Sequence, residues 1–117
     1  MVKIYVAGSW EERAEIKIIM EKLEAEGHDV LVDWTRHGGS SKKKYAMEDL
    51  EGVLASELFV LVNPAVMSRG KFIETGIALA NGKNIYVIGK GEIGIFEHLG
   101  RCKHFDFIEE LLELMRK

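Results

Sequence analysis

Apolar residues along the chain fall alternately into short continuous runs and into stripes at helical spacing, which predicts strands separated by helices. Val2-Lys3-Ile4-Tyr5-Val6-Ala7 reads as a buried first strand ended by Gly8. Ser9-Trp10-Glu11-Glu12 has the S-x-x-E spacing of a capping box, in which a hydroxyl and a carboxylate satisfy free N–H groups at a helix start. Behind it Ile16, Ile19, Met20 and Leu23 form one apolar stripe, and Gly27 ends the helix. Asp29 to Asp33 alternates around Val30 and Val32 as a second strand. Residues 34–42 read as a loop made flexible by Gly38-Gly39-Ser40-Ser41. A helix over 43–55 follows, with Ala46 or Met47, Leu50, and Val53 or Leu54 at helical spacing. Leu58 to Val62 is apolar throughout, as a strand covered on both faces must be.

Asn63-Pro64 breaks that strand, and a third helix spans 71–82, closed by Asn81-Gly82. Ile85 to Ile88 is a fourth strand and Lys103–Asp106 a short fifth at an edge. The last helix carries Ile108, Leu111, Leu112 and Met115. Such alternation predicts an α/β fold: a single-domain, flavodoxin-like (Rossmann-like) parallel sheet of about five strands with helices on both faces. In such sheets ligands sit beyond the carboxyl ends of the strands, where strand order reverses. That rule selects the loops 8–10, 34–42, 63–70 and 89–95.

Composition narrows the classes of function. The 117 residues leave room for one domain over 1–117, and 47% hydrophobic with 30% charged residues is an ordinary globular balance. Sixteen basic against nineteen acidic residues give a net charge of −3, so no nucleic-acid partner is expected. No apolar run approaches the roughly 20 residues of a membrane span, and the N-terminus lacks a signal-peptide pattern. Lone Cys102 admits no internal disulfide and suits a reducing, cytoplasmic location.

The third helix carries the most chemistry. Phe72-Ile73-Glu74-Thr75-Gly76-Ile77-Ala78-Leu79-Ala80 is apolar nearly all round, the mark of a buried helix, yet one carboxylate interrupts it. An unpartnered buried carboxylate costs several kcal/mol, so Glu74 requires a reason. One is the positive end of the helix dipole, worth about 0.3–1 kcal/mol. The other is reactivity: the dipole keeps the carboxylate ionised while apolar neighbours leave it poorly solvated. The residues alone leave both open.

Three segments, taken in order, resemble the nucleoside 2-deoxyribosyltransferase family. They are Lys3-Ile4-Tyr5-Val6-Ala7-Gly8-Ser9-Trp10, then Met47-Glu48-Asp49-Leu50 before an apolar strand, then Arg69 to Lys83 with its E-x-G-x-A-x-x-x-G-K pattern. The resemblance implies a retaining reaction on the sugar of a nucleoside or nucleotide, with no cofactor and no metal. Glu74 would attack the anomeric carbon and form a glycosyl ester. Asp49 would orient the sugar and serve in proton transfer to the departing base, and Tyr5 would touch the nucleophile. Tyr5 as a packed aromatic and Asp49 as a solvated helix residue are the plainer alternatives. The resemblance also implies a homodimer whose sites are completed by the neighbouring chain.

Trp10 lies where the transferase branch places an aromatic against the base; a hydrophobic contact at the helix start is its alternative. Trp34 is a second stacking candidate, with core packing as its default. Transferases of the family carry an acidic residue six positions before the nucleophile, whereas the branch that hydrolyses deoxynucleoside 5′-monophosphates carries a serine against the phosphate. Ser68 stands there, followed by Arg69, whose planar fork suits phosphate, and by Gly70. Gly8, Ser9 and the N–H groups of the first helix form a second candidate anion contact. Capping alone explains Ser9 and Ser68 equally well.

Other patterns point elsewhere. Gly89-Lys90-Gly91-Glu92-Ile93-Gly94 spells a dinucleotide fingerprint, but too little chain follows it for the required βα unit. His98, Cys102 and His104 lack a fourth metal ligand at a recognisable spacing. Lys42-Lys43-Lys44 reads as a solvated helix start. A non-catalytic nucleotide sensor and an NAD-cleaving glycohydrolase remain as alternatives, and hydrolysis is not separated from base transfer.

Overall fold

The computed structural model describes residues 1–39 and 41–117; Ser40, part of the expected flexible loop, lies outside them. The strands are β1 (Lys3–Ala7), β2 (Asp29–Val30), β3 (Leu58–Val62), β4 (Asn84–Ile88) and β5 (Cys102–Phe105). The helices are α1 (Arg13–Ala25), α2 (Lys42–Ala55), α3 (Arg69–Ala80) and α4 (Ile108–Met115). Every strand pair is parallel and the order is β2-β1-β3-β4-β5, the flavodoxin-like arrangement.

The core follows from the strand composition. Ile4 through Ala7 and Leu58 through Val62 are buried on both faces, because helices cover each side of the sheet. Ile16, Ile19, Met20 and Leu23 of α1, with Ile108, Leu111 and Leu112 of α4, fill one face. Two ion pairs tie these helices at the rim, Lys22 to Glu109 at 3.5 Å and Arg116 to Glu26 at 2.7 Å. α2 and α3 pack together on the other face, against β1.

Three local expectations change. The capping box at Ser9 does not form: the chain makes a 3-10 turn over Trp10–Glu12 before α1, and the Ser9 hydroxyl meets Glu12 Oε1 at 3.2 Å instead of a backbone N–H. The Glu12 carboxylate is drawn away, since Oε2 accepts from Asn63 Nδ2 at 2.8 Å. Strand β2 stops at Val30, not Asp33, because Val32 adopts φ 55°, a left-handed value costly for a β-branched residue. That bend turns the chain into a 3-10 turn over Trp34–Arg36, with Asp33 accepting the Thr35 N–H at 3.2 Å. Helix α3 begins at Arg69, two residues earlier than the pattern predicts.

The third helix is also not buried all round. Thr75 and Ala78 face the core, whereas Ile73 is 64% exposed and Phe72 36%. On neighbouring α2, Met47, Leu50 and Leu54 are exposed as well. A single helical layer covers this face of the sheet, so the outer side of each helix meets solvent in one chain.

Candidate active site

The turn after β1, the turn at Trp34, α2 and the start of α3 converge where strand order reverses between β1 and β3. Tyr5, Gly8, Trp10, Trp34, Asp49, Ser68, Gly70, Lys71 and Glu74 line one pocket of about 190 Å³ there. The glycine-rich loop 89–95 contributes nothing to this pocket.

Glu74 reaches the pocket from the second turn of α3, one residue after the exposed Ile73. Its Oε2 accepts a 2.6 Å hydrogen bond from the Tyr5 hydroxyl, whose ring stacks on Phe59 with centroids 5.9 Å apart. Burial pushes the Glu74 carboxyl up to about 7; the Tyr5 bond works against this and the charge of Asp49 adds to it. Desolvation therefore outweighs the helix dipole expected to keep Glu74 ionised, since the dipole fades within the first turn and Glu74 lies beyond it. Burial, the Glu74 charge and the hydrogen bond to Glu74 together raise the Tyr5 phenol far above its ordinary range. Tyr5 is therefore a fixed donor.

Asp49 enters from α2. Burial raises its carboxyl, with His37 opposing and Glu48 reinforcing the shift. Asp49 Oδ1 is buried and has no hydrogen-bond partner among the described residues. Two carboxylates held protonated more readily than usual in one pocket are suited to sharing nucleophilic and acid–base work. Close approach of α2 makes this possible: a Cβ on Gly52 would stand 2.7 Å from Val32 Cγ2 and 3.0 Å from Tyr5 Cδ2.

Both tryptophans border the pocket by different means. Trp34 is buried and its indole N–H donates to the Val6 carbonyl at 2.6 Å, so it presents a fixed flat wall. Trp10 is 46% exposed, with the Arg13 guanidinium 4.5 Å from its ring centre. Ser68 precedes α3 in an extended conformation and makes no side-chain cap bond, so capping does not explain it. Ser9 is buried against Glu12, and exposed Arg69 lies outside the pocket lining.

Lys71 and His37 went unnoticed in the sequence. Lys71 is 1% exposed, and its ammonium donates to the carbonyls of Asn63, at 2.8 Å, and Val66. It thereby pins the 63–68 loop beside Glu74, and burial lowers its pKa. A lysine in an R-G-K run carries no mark of burial. His37 lies 4.0 Å from Asp49 through Nδ1, across a turn that no periodicity describes.

The glycine-rich run after β4 has a structural cause. Gly89 and Gly91 have φ of 92° and 98°, and a Cβ on either would collide with Asn63 or Ala65. Glycine is needed there for backbone contact between two loops. A larger cavity of about 660 Å³ lies on the opposite face, lined among others by Glu15, Ile18, Val66, Ile88, Lys90 and Phe107. It contains neither Glu74 nor Asp49. Among the described residues no group of three or more side chains is arranged to hold a metal ion, and no helix is long and apolar enough to cross a membrane.

No protein-family model matches the sequence, and no curated protein sequence matches it. Among solved structures the chain is similar to the CMP N-glycosidase BcmB of Clostridium botulinum, with a TM-score of 0.69 and 19% identity over 97% of this chain and 98% of that one. At this identity the likeness establishes a common fold.

Proposed function

We propose that the protein cleaves the N-glycosidic bond of a nucleoside 5′-monophosphate through a covalent intermediate on Glu74. The observation that carries this reading is the Tyr5–Glu74 hydrogen bond inside a pocket that also contains Asp49. The fold common to a protein described as a CMP N-glycosidase supports it, as do the three resembling segments.

The ionised Glu74 carboxylate attacks the anomeric carbon as the C–N bond breaks and its electron pair passes to the base. Protonated Asp49 supplies a proton to that base. Water then attacks the same carbon, gives its proton to Asp49, and releases Glu74 with both groups restored. Serine at position 68, in place of the acidic residue of the transferases, favours water over a second base as acceptor. Its hydroxyl and the first N–H groups of α3 are suited to a 5′-phosphate.

A pocket of about 190 Å³ has room for the pentose and less than the roughly 300 Å³ that whole ligands occupy. Base and phosphate therefore extend past the rim, the base against Trp10 and Trp34. The exposed apolar faces of α2 and α3 beside the site fit a homodimer in which a second chain completes the enclosure.

The test is base release. The protein is incubated with ribo- and deoxyribonucleoside 5′-monophosphates, the corresponding nucleosides and NAD, with and without an acceptor base. Release from monophosphates that vanishes in Glu74→Ala is expected. Base exchange would identify a transferase, release from NAD a glycohydrolase, and binding without release a sensor. Activity surviving Glu74→Ala would overturn the mechanism.

A further inference from the structure

Asp49 presents an unanswered problem: one of its carboxylate oxygens is enclosed without a partner, although the proposed reaction needs its proton on the other. We propose that His37 is the positioning residue for Asp49, engaging Oδ1 through Nδ1–H so that the transferable proton resides on Oδ2. This rests on the glycosidase reading above and identifies which residue outside the pocket governs its acid.

The placement of His37 is specific. It follows the 3-10 turn that Val32 and Asp33 set up, and its backbone N–H donates to Trp34 O at 3.0 Å. Its imidazole lies flat on the Tyr45 ring, with centroids 4.0 Å apart and planes 9° from parallel. Tyr45 in turn accepts the Gly39 N–H at 3.2 Å, so the chain is fastened to α2 at the histidine and two residues beyond it. This leaves Nδ1 4.0 Å from Asp49 Oδ1 and Nε2 3.6 Å from Glu48 Oε2. His37 thus spans two carboxylates one position apart on α2.

Neither distance is a hydrogen bond, but catalytic contacts are often long before substrate binds and shorten in the complex. The enclosed Oδ1 has the His37 ring facing it, and closing the gap gives that atom the partner it lacks. The other charged groups around the ring are Asp33 and Glu51, which line the open depression on its outer side with Glu48. Asp33 is engaged by Lys17 and by Arg36 at 3.6 Å, and Glu48 has Lys44 at 3.9 Å. Tyr5 and Glu74 lie with Asp49 on the pocket side. The contact to Asp49 requires a proton on Nδ1 alone; a ring protonated on both nitrogens would favour the ionised carboxylate and oppose its role as an acid. With Oδ1 occupied by an N–H donor, a proton on Asp49 is excluded from Oδ1 and faces the leaving base from Oδ2.

The discriminating experiment compares His37→Ala and His37→Gln with wild type on two substrates. One is the best ordinary nucleotide from the base-release panel. The other is its counterpart with an N7-methylated purine, whose base leaves without being protonated. His37→Ala is expected to lower kcat about 10- to 100-fold on the ordinary nucleotide and less than threefold on the methylated one. His37→Gln, which retains an N–H donor, and added imidazole are expected to restore part of the loss. Equal losses on both substrates, or no loss on either, would overturn the inference. A second arm does not depend on turnover: the His37 ring nitrogen resonances are expected to move in Asp49→Asn, and unchanged resonances would also overturn it. If wild type releases no base from any substrate, the glycosidase reading fails, and the resonance arm alone decides whether His37 holds Asp49.

Discussion

The Tyr5 hydroxyl and the Glu74 carboxylate, 69 positions apart in the chain, are joined by a 2.6 Å hydrogen bond at the β1–β3 switch point. The bond opposes the burial that raises Glu74 to about 7, so Tyr5 keeps more of the carboxylate ionised at neutral pH. Tyr5→Phe removes the donor while keeping the ring on Phe59. In the proposed mechanism Glu74 acts as the anion, so kcat/KM is expected to rise with pH through its titration, and this limb to move to higher pH in Tyr5→Phe. At pH 7 the loss is expected to be about 10- to 100-fold. A pH–rate profile of both proteins measures each.

Glu74 should also be a source of instability. Its carboxyl titrates near 7 when folded against an ordinary value of 4.5, so the folded chain holds the proton more tightly across that window. Stability is therefore expected to fall as pH rises from about 4.5 to 7 and to level off above. At about 1.4 kcal/mol per pKa unit, Glu74→Gln is expected to be more stable than wild type by roughly 2–3 kcal/mol at pH 8, with little difference at pH 4. Urea unfolding at the two pH values checks this; an equal difference at both would contradict it.

Gly52 lets α2 approach Tyr5, the hydrogen-bond partner of Glu74. Alanine there gains about 1 kcal/mol of helix propensity, but its Cβ would press on Val32 and Tyr5. Overpacking of this kind costs about 1–3 kcal/mol, so Gly52→Ala is expected to lose up to about 2 kcal/mol net. Displacement of Tyr5 should add an activity loss that Gly76→Ala, whose Cβ would meet nothing within 4 Å, does not share. Thermal melts with parallel base-release assays separate the two.

The exposed apolar residues of α2 and α3 are expected to lie in a subunit contact. Ile73→Asp should convert a dimer to a monomer in sedimentation, because a charge at the centre of an apolar interface loses its water without gaining a partner. A wild-type protein that sediments as a monomer at working concentration would refute the homodimer.

Much of the fold was legible because burial leaves a periodic trace. The apolar run Leu58–Val62 requires cover on both faces, and the stripe from Ile16 to Leu23 requires one buried side, so β3 and α1 follow from composition. Alternation at Val30 and Val32 predicts a longer β2 than the structure has, because it conceals the left-handed bend at Val32. The pattern starts α3 two residues late because Arg69-Gly70 carries no apolar residue and the glycine reads as loop.

For the site, the sequence by itself determined the carboxylate in an apolar helix and, through resemblance, the company of Tyr5, Asp49 and Ser68. Only the tertiary structure decided the electrostatics. Whether a carboxylate is ionised depends on how much water remains around it and which charges face it, and residues from β1, α2 and α3 settle that jointly. The same holds for Lys71 and His37, whose surroundings come from loops that periodicity cannot order. The chain's local pattern specifies its elements, whereas the titration of Glu74 belongs to the space between them.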